Sequence, residues 1–374
     1  MLAFALKTLL ADRGKFLTGL AGVVFSLVLV NVQGGLYFGL MSKASVLIDH
    51  CDADLWVGDR HISNVDLPRH IPEGWINRLR GLPGIERVEP YIVGKGTATL
   101  TTGGFEDVWI IGSDPESMLG SGWNFVSGSR DDLRRPYGVS FDVVDLAKLG
   151  QPQLGDWIEV NGHRVKLVAQ TSGITGFVTM PYLFTTLENA RRISNISPER
   201  CSFFLVKALP GTNIAQLRAQ VAELVPELVV YPPQEFAESS QSYWMNRTGI
   251  GISFGASTAL GLLVGLMMVA QSLYALALDH QMDYATLKAL GADDREVCAV
   301  ILWQALTMAV LGSSIGIGIV LGLREFWSSP LAPMVIPPPL IGVAVLLVFV
   351  ICLAASLLPF LRIRRIDPAV VLQG

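Results

Sequence analysis

The residues that could carry out chemistry are few in this sequence, and none has the spacing that a reaction requires. The chain contains no G-x-x-x-x-G-K-[ST] phosphate loop, no H-E-x-x-H pair and no C-x-x-C pair. A phosphate loop is the usual means of binding and hydrolysing ATP, and the five scattered histidines fit no spacing of metal ligands. We therefore expect no catalytic, cofactor-binding or metal-binding residues here, and any ATP hydrolysis on another protein.

The four cysteines do not resemble a disulfide framework either. Cys298 and Cys352 fall in apolar segments, whereas Cys51 and Cys201 belong to one polar region. These two could form a disulfide if that region lies in an oxidising compartment. Unpaired buried cysteines are common as well, so the sequence leaves both states open.

Residues 279–296 form the polar segment around which the rest of the sequence is arranged. The flanking stretches, residues 248–278 and 297–323, contain no Asp, Glu, Lys or Arg over 31 and 27 positions. Each is longer than the roughly 20 apolar residues that a membrane-spanning helix needs. The polar segment is therefore expected to join an antiparallel pair of membrane helices.

Within this segment, the residue types predict one short amphipathic helix. Tyr284, Leu287 and Leu290 recur at spacing three, while Asp283 and Lys288 can face water. Such a helix either presents a compact surface to a soluble partner or serves only as a structural turn. The residues alone leave both interpretations open.

Two capping signals bound this short helix. Gly291 follows the last periodic residue, which is typical of a left-handed C-cap. Asp293 followed three residues later by Glu296 predicts a capping box at the start of the next helix.

The nine residues 284–292, YATLKALGA, resemble the YATLKAxG segment of DevC-type permeases, a branch of the MacB/FtsX-like permeases of ABC transporters. Gln271, Tyr274 and His280 also match residues that DevC-like proteins carry. In that superfamily the segment docks onto the ATPase. The resemblance thus implies an ATPase-coupling role for Asp283, Tyr284, Leu287, Lys288, Ala289, Leu290 and Gly291. The chain departs from general MacB-like patterns at Gln304, where many members carry an acidic residue.

Composition places the chain in a membrane. With 374 residues, 51% hydrophobic content and a mean hydropathy of +0.46, it is too apolar for a soluble protein of its size. The apolar residues are clustered, because residues 43–247 read as ordinary globular sequence. The net charge of −4 and the lack of Lys- and Arg-rich blocks argue against nucleic-acid binding.

These patterns predict four transmembrane α-helices with a large extracytoplasmic α+β domain inserted between the first and the second. The predicted parts are a cytoplasmic interfacial helix (1–15), span 1 (16–42), a periplasmic MacB-like domain (43–247), span 2 (248–278), a cytoplasmic coupling loop (279–296), span 3 (297–323), a short periplasmic loop (324–339), span 4 (340–361) and a cytoplasmic tail (362–374).

The distribution of Lys and Arg predicts the orientation of these spans. Most basic residues near the membrane ends lie on the side of both termini and of residues 279–296, whereas the short loop opposite has only Arg324. The positive-inside rule then places both termini and the coupling loop in the cytoplasm. We expect a multi-pass protein of the inner (plasma) membrane.

The inserted region alternates strand-like and helix-like segments. Residues 85–93, 108–111, 157–160 and 165–169 have the β-branched content and turn boundaries of strands. Residues 214–224 have helical spacing after a Pro-Gly pair, so an α+β architecture follows. The fragments GIERVEPY, VWIIGSDPES, QLGDWIEVNGHRVKLVAQ and FFLVKALPGTN are similar in order and spacing to the periplasmic domain of MacB-like permeases.

Glycines recur at spacing four in the predicted spans, which allows helix backbones to approach closely. Such contacts serve either packing within one subunit or a dimer seam, and packing is slightly favoured because Gly is frequent in membrane helices. The glycines are Gly251, Gly255, Gly261, Gly265, Gly312, Gly316, Gly318 and Gly322. No Asp, Glu, Lys, Arg or His lies in the predicted spans, which disfavours a proton or ion path.

The resemblance implies a permease subunit of a DevC/MacB-like tripartite ABC exporter that transmits ATP-driven motion from a cytoplasmic ATPase to its periplasmic domain. It further implies a homodimer, a periplasmic membrane-fusion adaptor, an outer-membrane channel of TolC type, and a glycolipid or other amphiphile as cargo, with ATP and Mg bound by the partner ATPase. A lipoprotein-releasing permease and an FtsX-like regulator of periplasmic hydrolases remain as alternatives. A membrane-bound enzyme is disfavoured because no catalytic constellation is visible.

Overall fold

The computed structural model describes residues 2–329 and 332–364. The chain divides into two compact units. We call residues 1–39 and 250–374 the membrane unit, and residues 40–249 the inserted domain. The predicted cytoplasmic tail lies outside the described residues from position 365 onward.

Helices occur in both units, and those of the membrane unit are the longest. Their bounds are α1 (Leu2–Ala11), α2 (Arg13–Lys43), α3 (Val46–Asp49), α4 (Ile76–Arg80), α5 (Leu187–Ser194), α6 (Ile214–Leu224), α7 (Pro233–Arg247), α8 (Ile250–Asp279), α9 (Gln281–Ala289), α10 (Asp294–Trp327), α11 (Pro338–Ala355) and α12 (Leu357–Arg364). Four helical stretches among the described residues are long and apolar enough to cross a membrane, namely 13–43, 250–279, 294–326 and 338–363.

The first helix differs from its predicted form. The prediction gives one interfacial helix over residues 1–15, whereas α1 ends at Ala11 and α2 already begins at Arg13. Ala5, Thr8 and Leu9 are buried within the membrane unit. An amphipathic helix buries its apolar side against whichever apolar surface is available, and here that surface is the helix bundle.

The fourth span consists of two helices instead of the single helix predicted over residues 340–361. α11 ends at Ala355, and α12 begins after Ser356. Pro359 explains the break, because proline has no N–H to bond the carbonyl of Ala355 and its ring clashes with that carbonyl.

Several of the glycines singled out above lie against α2. A side-chain carbon at Gly261 or Gly265 of α8 would overlap Leu29 or Ser26 of α2. A side-chain carbon at Gly312 or Gly316 of α10 would likewise overlap Val23 or Leu27 of α2. Gly251 lies in the first turn of α8, and added carbons at Gly255, Gly318 and Gly322 would meet open space. Close packing within one subunit therefore accounts for Gly261, Gly265, Gly312 and Gly316. It does not account for Gly255, Gly318 and Gly322, which remain available for another contact.

The inserted domain is built on one large mixed sheet and a two-stranded ribbon. Its strands are β1 (Leu55–Asp59), β2 (Ile71–Pro72), β3 (Ile85–Thr99), β4 (Phe105–Ser113), β5 (Phe125–Ser127), β6 (Gly138–Asp142), β7 (Trp157–Val160), β8 (His163–Thr171), β9 (Tyr182–Thr186), β10 (Arg200–Cys201), β11 (Phe203–Ala208) and β12 (Leu228–Tyr231). The four predicted strands correspond to β3, β4, β7 and β8, and the predicted helix to α6.

Six strands of the large sheet close into a ring. β3 pairs with β4, β4 with β9, β9 with β6, β6 with β8, β8 with β7, and β7 returns to β3. Closure removes the free edges that open sheets expose. Buried side chains of the ring strands, among them Ile110, Phe141 and Val160, form one apolar cluster.

The rest of the large sheet extends from the first half of β3. β11, β1 and β12 follow β3 in that order, and β5 pairs with the outer side of β8. α6 packs against β12, and its residues Leu217 and Val221 belong to a second apolar cluster. An α+β architecture results, as the sequence predicts.

A buried carboxylate joins three segments of the inserted domain. Asp66 Oδ1 accepts a hydrogen bond from the Tyr182 hydroxyl (3.3 Å), and its Oδ2 accepts one from Trp244 Nε1 (3.2 Å). Burial raises the pKa of Asp66 to about 6, although the bonds from Trp244 and Tyr182 oppose the shift. We call these three residues the Asp66 joint. It fixes α7, the helix that precedes α8, to the body of the inserted domain.

The cysteines of the inserted domain are not paired. Cys51 and Cys201 are free and buried in separate apolar clusters. Burial raises the pKa of each thiol to about 12, so both stay protonated and unreactive.

Candidate functional site

The loop between α8 and α10 contains the short helix that the sequence predicts. α9 spans Gln281–Ala289 and ends in a left-handed glycine, Gly291, with φ of +99°. The amide of Gly291 donates to the carbonyl of Lys288, and the amide of Ala292 donates to that of Leu287, both at 3.0 Å. These two bonds form a Schellman motif, which satisfies the last carbonyls of the helix.

The next helix begins with the predicted capping box. Asp293 is the N-cap of α10, and its side chain and that of Glu296 bond reciprocally to each other's backbone amides. Both ends of the loop are thus capped by residues within it. A loop capped in this way keeps one conformation without help from a partner.

The inner face of α9 is anchored in an apolar cluster of the membrane unit. The Tyr284 side chain is 1% exposed, and its ring contacts the edge of Phe4 at 6.2 Å between centroids. Val297, Val300 and Ile301 of α10 belong to the same cluster. The cluster therefore joins α9 to α1, α10 and the end of the fourth span, which contributes the buried Ile363.

Burial also changes the acidity of the Tyr284 hydroxyl. It raises the pKa of Tyr284 to about 12, while the Gln304 side chain opposes the shift. The Gln304 amide also donates to Thr8 Oγ1 of α1 at 2.9 Å. The neutral amide thus binds α1 to α10 without placing a charge next to the tyrosine.

Basic side chains hold both ends of the loop from within. Lys288 Nζ donates to the carbonyl of Ile363 (3.2 Å) and pairs with Asp294 (2.9 Å). Lys15 pairs with Asp279 at the end of α8. These contacts fix the loop to α2, α10 and α12.

The outer face of α9 is apolar at its tip and acidic around it. Leu290 is 81% exposed and Met282 is 51% exposed. Ala289 and Thr286 lie between them and are exposed as well. The exposed charged residues of the loop around this tip are mostly acidic, namely Asp283, Asp293, Asp294 and Glu296, with Arg295 as the one exposed cation among residues 280–296. We call Met282, Thr286, Ala289 and Leu290 the α9 tip.

Three residues for which the sequence predicts a coupling role do not point in the direction that the sequence predicts. Tyr284 and Leu287 were expected on the same face as Leu290, but they pack in the inner cluster. Six residues at about 100° each rotate Leu290 roughly 240° away from Tyr284. Lys288, expected to face water, is held by Ile363 and Asp294. Of the residues named from the sequence, Asp283, Ala289, Leu290 and Gly291 are the exposed ones.

Two other possible sites give no sign of chemistry. Over residues 2–329 and 332–364, no group of three His, Cys, Asp or Glu side chains converges to hold a metal ion. One G-x-S-x-G match, Gly312 to Gly316, lies inside α10. That motif requires a strand-to-helix turn to expose its serine, so this match has no catalytic meaning.

Comparison with protein-family models matches two regions of the chain. Residues 17–224 match the MacB-like periplasmic core domain, and residues 255–368 match the FtsX-like permease C-terminal region. The first match covers more than half of the chain. The predicted fold class, with an extracytoplasmic MacB-like domain inserted between the first and second of four membrane helices, is confirmed.

Individual proteins are similar over nearly the whole chain. An uncharacterised ABC transporter permease of Mycobacterium tuberculosis is 26% identical over 366 residues, which covers 94% of this chain and 93% of the relative. Another, of Mycobacterium bovis, is 24% identical over 373 residues with the same coverage of 94% and 93%.

Solved structures are similar to the inserted domain. The periplasmic region of MacB from Actinobacillus actinomycetemcomitans has a TM-score of 0.38 at 14% identity and covers 51% of this chain and 94% of that one. The extracellular domain of the ABC-type transporter YknZ from Gram-positive bacteria has a TM-score of 0.36 at 15% identity, with 48% and 98% covered.

Proposed function

The chain belongs to the MacB/FtsX-like family of ABC transporter permeases, and on that premise we propose that the α9 tip is the surface by which it binds a separate cytoplasmic ATPase. The observation that carries this proposal is the 81% exposure of Leu290 at the end of a helix whose other face is buried. Short helices dock into grooves through a few apolar anchors. Met282 and Leu290 are the anchors that the loop offers.

Charge specifies the partner groove further. Exposed carboxylates outnumber exposed cations in the loop around the α9 tip, because Asp283, Asp293 and Glu296 face only Arg295, while Lys288 and Asp294 pair with each other. Complementary charges steer association and exclude wrong partners. The ATPase groove is therefore expected to have a basic rim around an apolar floor, with ATP and Mg bound elsewhere on that subunit.

The inner cluster gives this docking a mechanical consequence. Because Tyr284 packs with α1, α10 and the end of α12, a displacement of α9 moves side chains of all three helices. This arrangement supports a mechanotransmission role, in which ATP-driven motion of the partner reaches the spans and then the periplasmic domain. The exposed glycines Gly318 and Gly322 of α10 are the contact that we propose for a second copy in a homodimer.

The remaining features of the proposal derive from the resemblance to DevC-type permeases. They are a tripartite exporter with a periplasmic membrane-fusion adaptor and an outer-membrane channel of TolC type, a glycolipid or other amphiphile as cargo, and cytoplasmic termini in the inner membrane.

Labelling of introduced cysteines in spheroplasts tests the orientation. A Cys at Gly103 should react from outside and one at Asp293 should not, and the reverse pattern would invert the topology.

Substitution of Leu290 tests the docking. Leu290→Asp places a charge in an apolar groove, where loss of an anchor typically costs about 2 kcal/mol or more. We expect the purified permease to lose co-purification with the ATPase of its own operon, and the ATPase to lose its response to the permease. Met282→Asp should act in the same direction. Leu154→Asp, at a half-exposed leucine of the inserted domain, is the matched control.

The interpretation depends on an intact membrane unit, so size-exclusion profiles accompany each variant. Leu290→Asp should elute as the wild type does, because Leu290 makes few contacts within the chain. Leu287→Asp is unsuitable, since Leu287 packs against the inner cluster. Wild-type ATPase binding by both Leu290→Asp and Met282→Asp would show that the loop is only a structural turn.

A further inference from the structure

A second built site lies in the inserted domain, far in sequence from α9. It is a cavity of about 400 Å³, within the range of small-ligand pockets. Its walls come from the residues just after α3, from strands β3 and β11, from the loop of residues 117–121 and from the short 3-10 helix that begins at Arg130. Five separate segments thus enclose one space.

The loop of residues 117–121 is held in a conformation that few sequences adopt. Met118 is fully buried with φ of +55°, and Gly120 has φ of +71°. A side-chain carbon at Gly120 would lie 2.7 Å from the Tyr91 ring, whose hydroxyl donates to the Gly120 carbonyl (2.8 Å). Arg134 Nε binds the Pro115 carbonyl (2.6 Å) just before the loop. Strained backbone of this kind occurs preferentially where a ligand is bound.

The walls carry more positive than negative charge. Arg87, Arg130 and Lys207 line the cavity, and Asp52 is the one acidic residue that does so. Arg87 pairs with Glu89 at 3.4 Å, and Lys207 pairs with Asp54 at 3.3 Å.

Arg130 differs from the other two cations. Its exposed side chain forms no hydrogen bond and no ion pair with any residue of the described chain. Burial raises the pKa of Glu89, with added repulsion from Asp114 and Glu116, although Ser117 and Arg87 oppose the shift. Glu89, which pairs with Arg87, is thus protonated more readily than a solvated glutamate, and its protonation would leave Arg87 available to another anion.

From these observations we infer that the cavity lined by Arg87, Arg130 and Lys207 binds a phosphate group, either as a free phosphate ester or as the headgroup of a phospholipid. The cations come from three separate segments, and a phosphate group, which carries more negative charge and more acceptor oxygens than a carboxylate, can bond several of them at once. The inference does not depend on the α9 docking, because it concerns the inserted domain alone.

Calorimetric titration of the full-length permease in a neutral detergent tests the inference. The probes are glycerol 3-phosphate and a soluble short-chain phosphatidic acid, with glycerol as the uncharged analogue. We expect saturable binding of both phosphates in the micromolar to millimolar range and none of glycerol. Equal affinities would identify a free phosphate ester, and tighter binding of the lipid would identify a headgroup. Absence of binding by both phosphates would overturn the inference.

Three variants distinguish binding in this cavity from non-specific attraction of anions to positive charge on the protein. Arg130→Ala should weaken binding about tenfold to a hundredfold, as loss of a charged hydrogen bond does. Ser121→Ala should leave binding unchanged, because the Ser121 Oγ has almost no accessible surface and does not face the cavity. Arg78→Ala, at an exposed arginine outside the cavity, should bind as the wild type does. Equal effects of Arg130→Ala and Arg78→Ala would overturn the inference.

Discussion

In the membrane unit, α9 holds its neighbours through the buried apolar ring of Tyr284. In the inserted domain, the Asp66 joint does the opposite, with a carboxylate inside and Tyr182 and Trp244 around it. Apolar burial is insensitive to pH, whereas hydrogen bonds to a buried carboxylate depend on its protonation. The stabilities of these two contacts are therefore expected to respond to different variables.

Removal of the ring at Tyr284 should have the largest effect. Tyr284→Ala leaves a cavity among Phe4, Val297 and Ile301, and a large buried aromatic typically contributes about 3–5 kcal/mol. We expect rapid proteolysis at residues 280–292 and a lower thermal midpoint. Tyr284→Phe, which keeps the ring, is the control. If residues 280–292 of Tyr284→Ala were as resistant to protease as those of the wild type, the buried ring would not be what holds α9 in place.

The Asp66 joint should show the pH dependence that α9 lacks. The folded pKa of about 6 exceeds the ordinary value of 3.8, so the folded state binds the proton more tightly. The stabilising contribution of this group is therefore complete below pH 3.8, and it is lost as the pH rises through 6. The full difference is on the order of 3 kcal/mol.

Asp66→Asn should remove that dependence. The carboxamide oxygen can accept from Trp244 Nε1, and its amino group can donate to the Tyr182 hydroxyl, so the geometry is kept. The thermal midpoint of the inserted domain, followed from pH 4.5 to 7.5, should fall less in Asp66→Asn than in the wild type. Asp131→Asn, at a largely exposed carboxylate, is the control. Parallel curves for wild type and Asp66→Asn would contradict the joint's role.

The membrane helices add a third kind of contact, in which the absence of a side chain permits packing. A methyl group at Gly265 would overlap Ser26 and approach the Gly22 carbonyl at 3.1 Å. Overpacking of this kind costs about 1–3 kcal/mol, so Gly265→Ala should lower the thermal midpoint in detergent. Gly255→Ala meets open space and should be neutral or stabilising by up to about 1 kcal/mol. Equal midpoints for the two variants would refute the close packing of α8 on α2.

The smallest effect on stability is expected at the α9 tip. Leu290→Ala removes a side chain that is 81% exposed, and surface substitutions usually change stability by less than about 0.5 kcal/mol. The thermal midpoint should stay at the wild-type value while affinity for the ATPase falls. A marked loss of stability in Leu290→Ala would mean that Leu290 is a structural residue and not a docking residue.

Local signals predict the ends of α9 well and the facing of its side chains poorly. Gly291 and the capping box of Asp293 and Glu296 occur where expected, because each depends on residues within four positions. The facing of Tyr284 depends on α1 and α12, which are distant in sequence. Residues that recur at a spacing of three do not stay on one face of a helix over two turns. The sequence alone therefore indicates that Tyr284 and Leu290 cannot share a face.

Long-range contacts account for what the sequence leaves unpredicted in the inserted domain. The strand segments follow from β-branched residues and turn boundaries, but closure of the ring depends on the pairing of Ala98 with Val160. The phosphate cavity likewise gathers residues from five segments. No periodicity or motif marks such residues before the fold is known.

Strand β3 is shared by both halves of the large sheet, and this has a consequence for the timing of folding. Its second half pairs with β4 through the tight turn at residues 100–104, a hairpin that forms in about 1–10 μs. Its first half pairs with β11, which is made only about 100 residues later. At roughly 5–20 residues per second, synthesis of that interval takes on the order of 5–20 s.

During that interval the first half of β3 has no neighbour on the side that β11 will occupy. It carries Glu86, Arg87, Glu89 and Pro90, and charges and proline are the residues that discourage pairing between exposed strand edges. The second half, which is paired at once, carries none of these except Lys95. We therefore expect the charges on the first half of β3 to disfavour mispairing of the nascent chain until β11 has been synthesised.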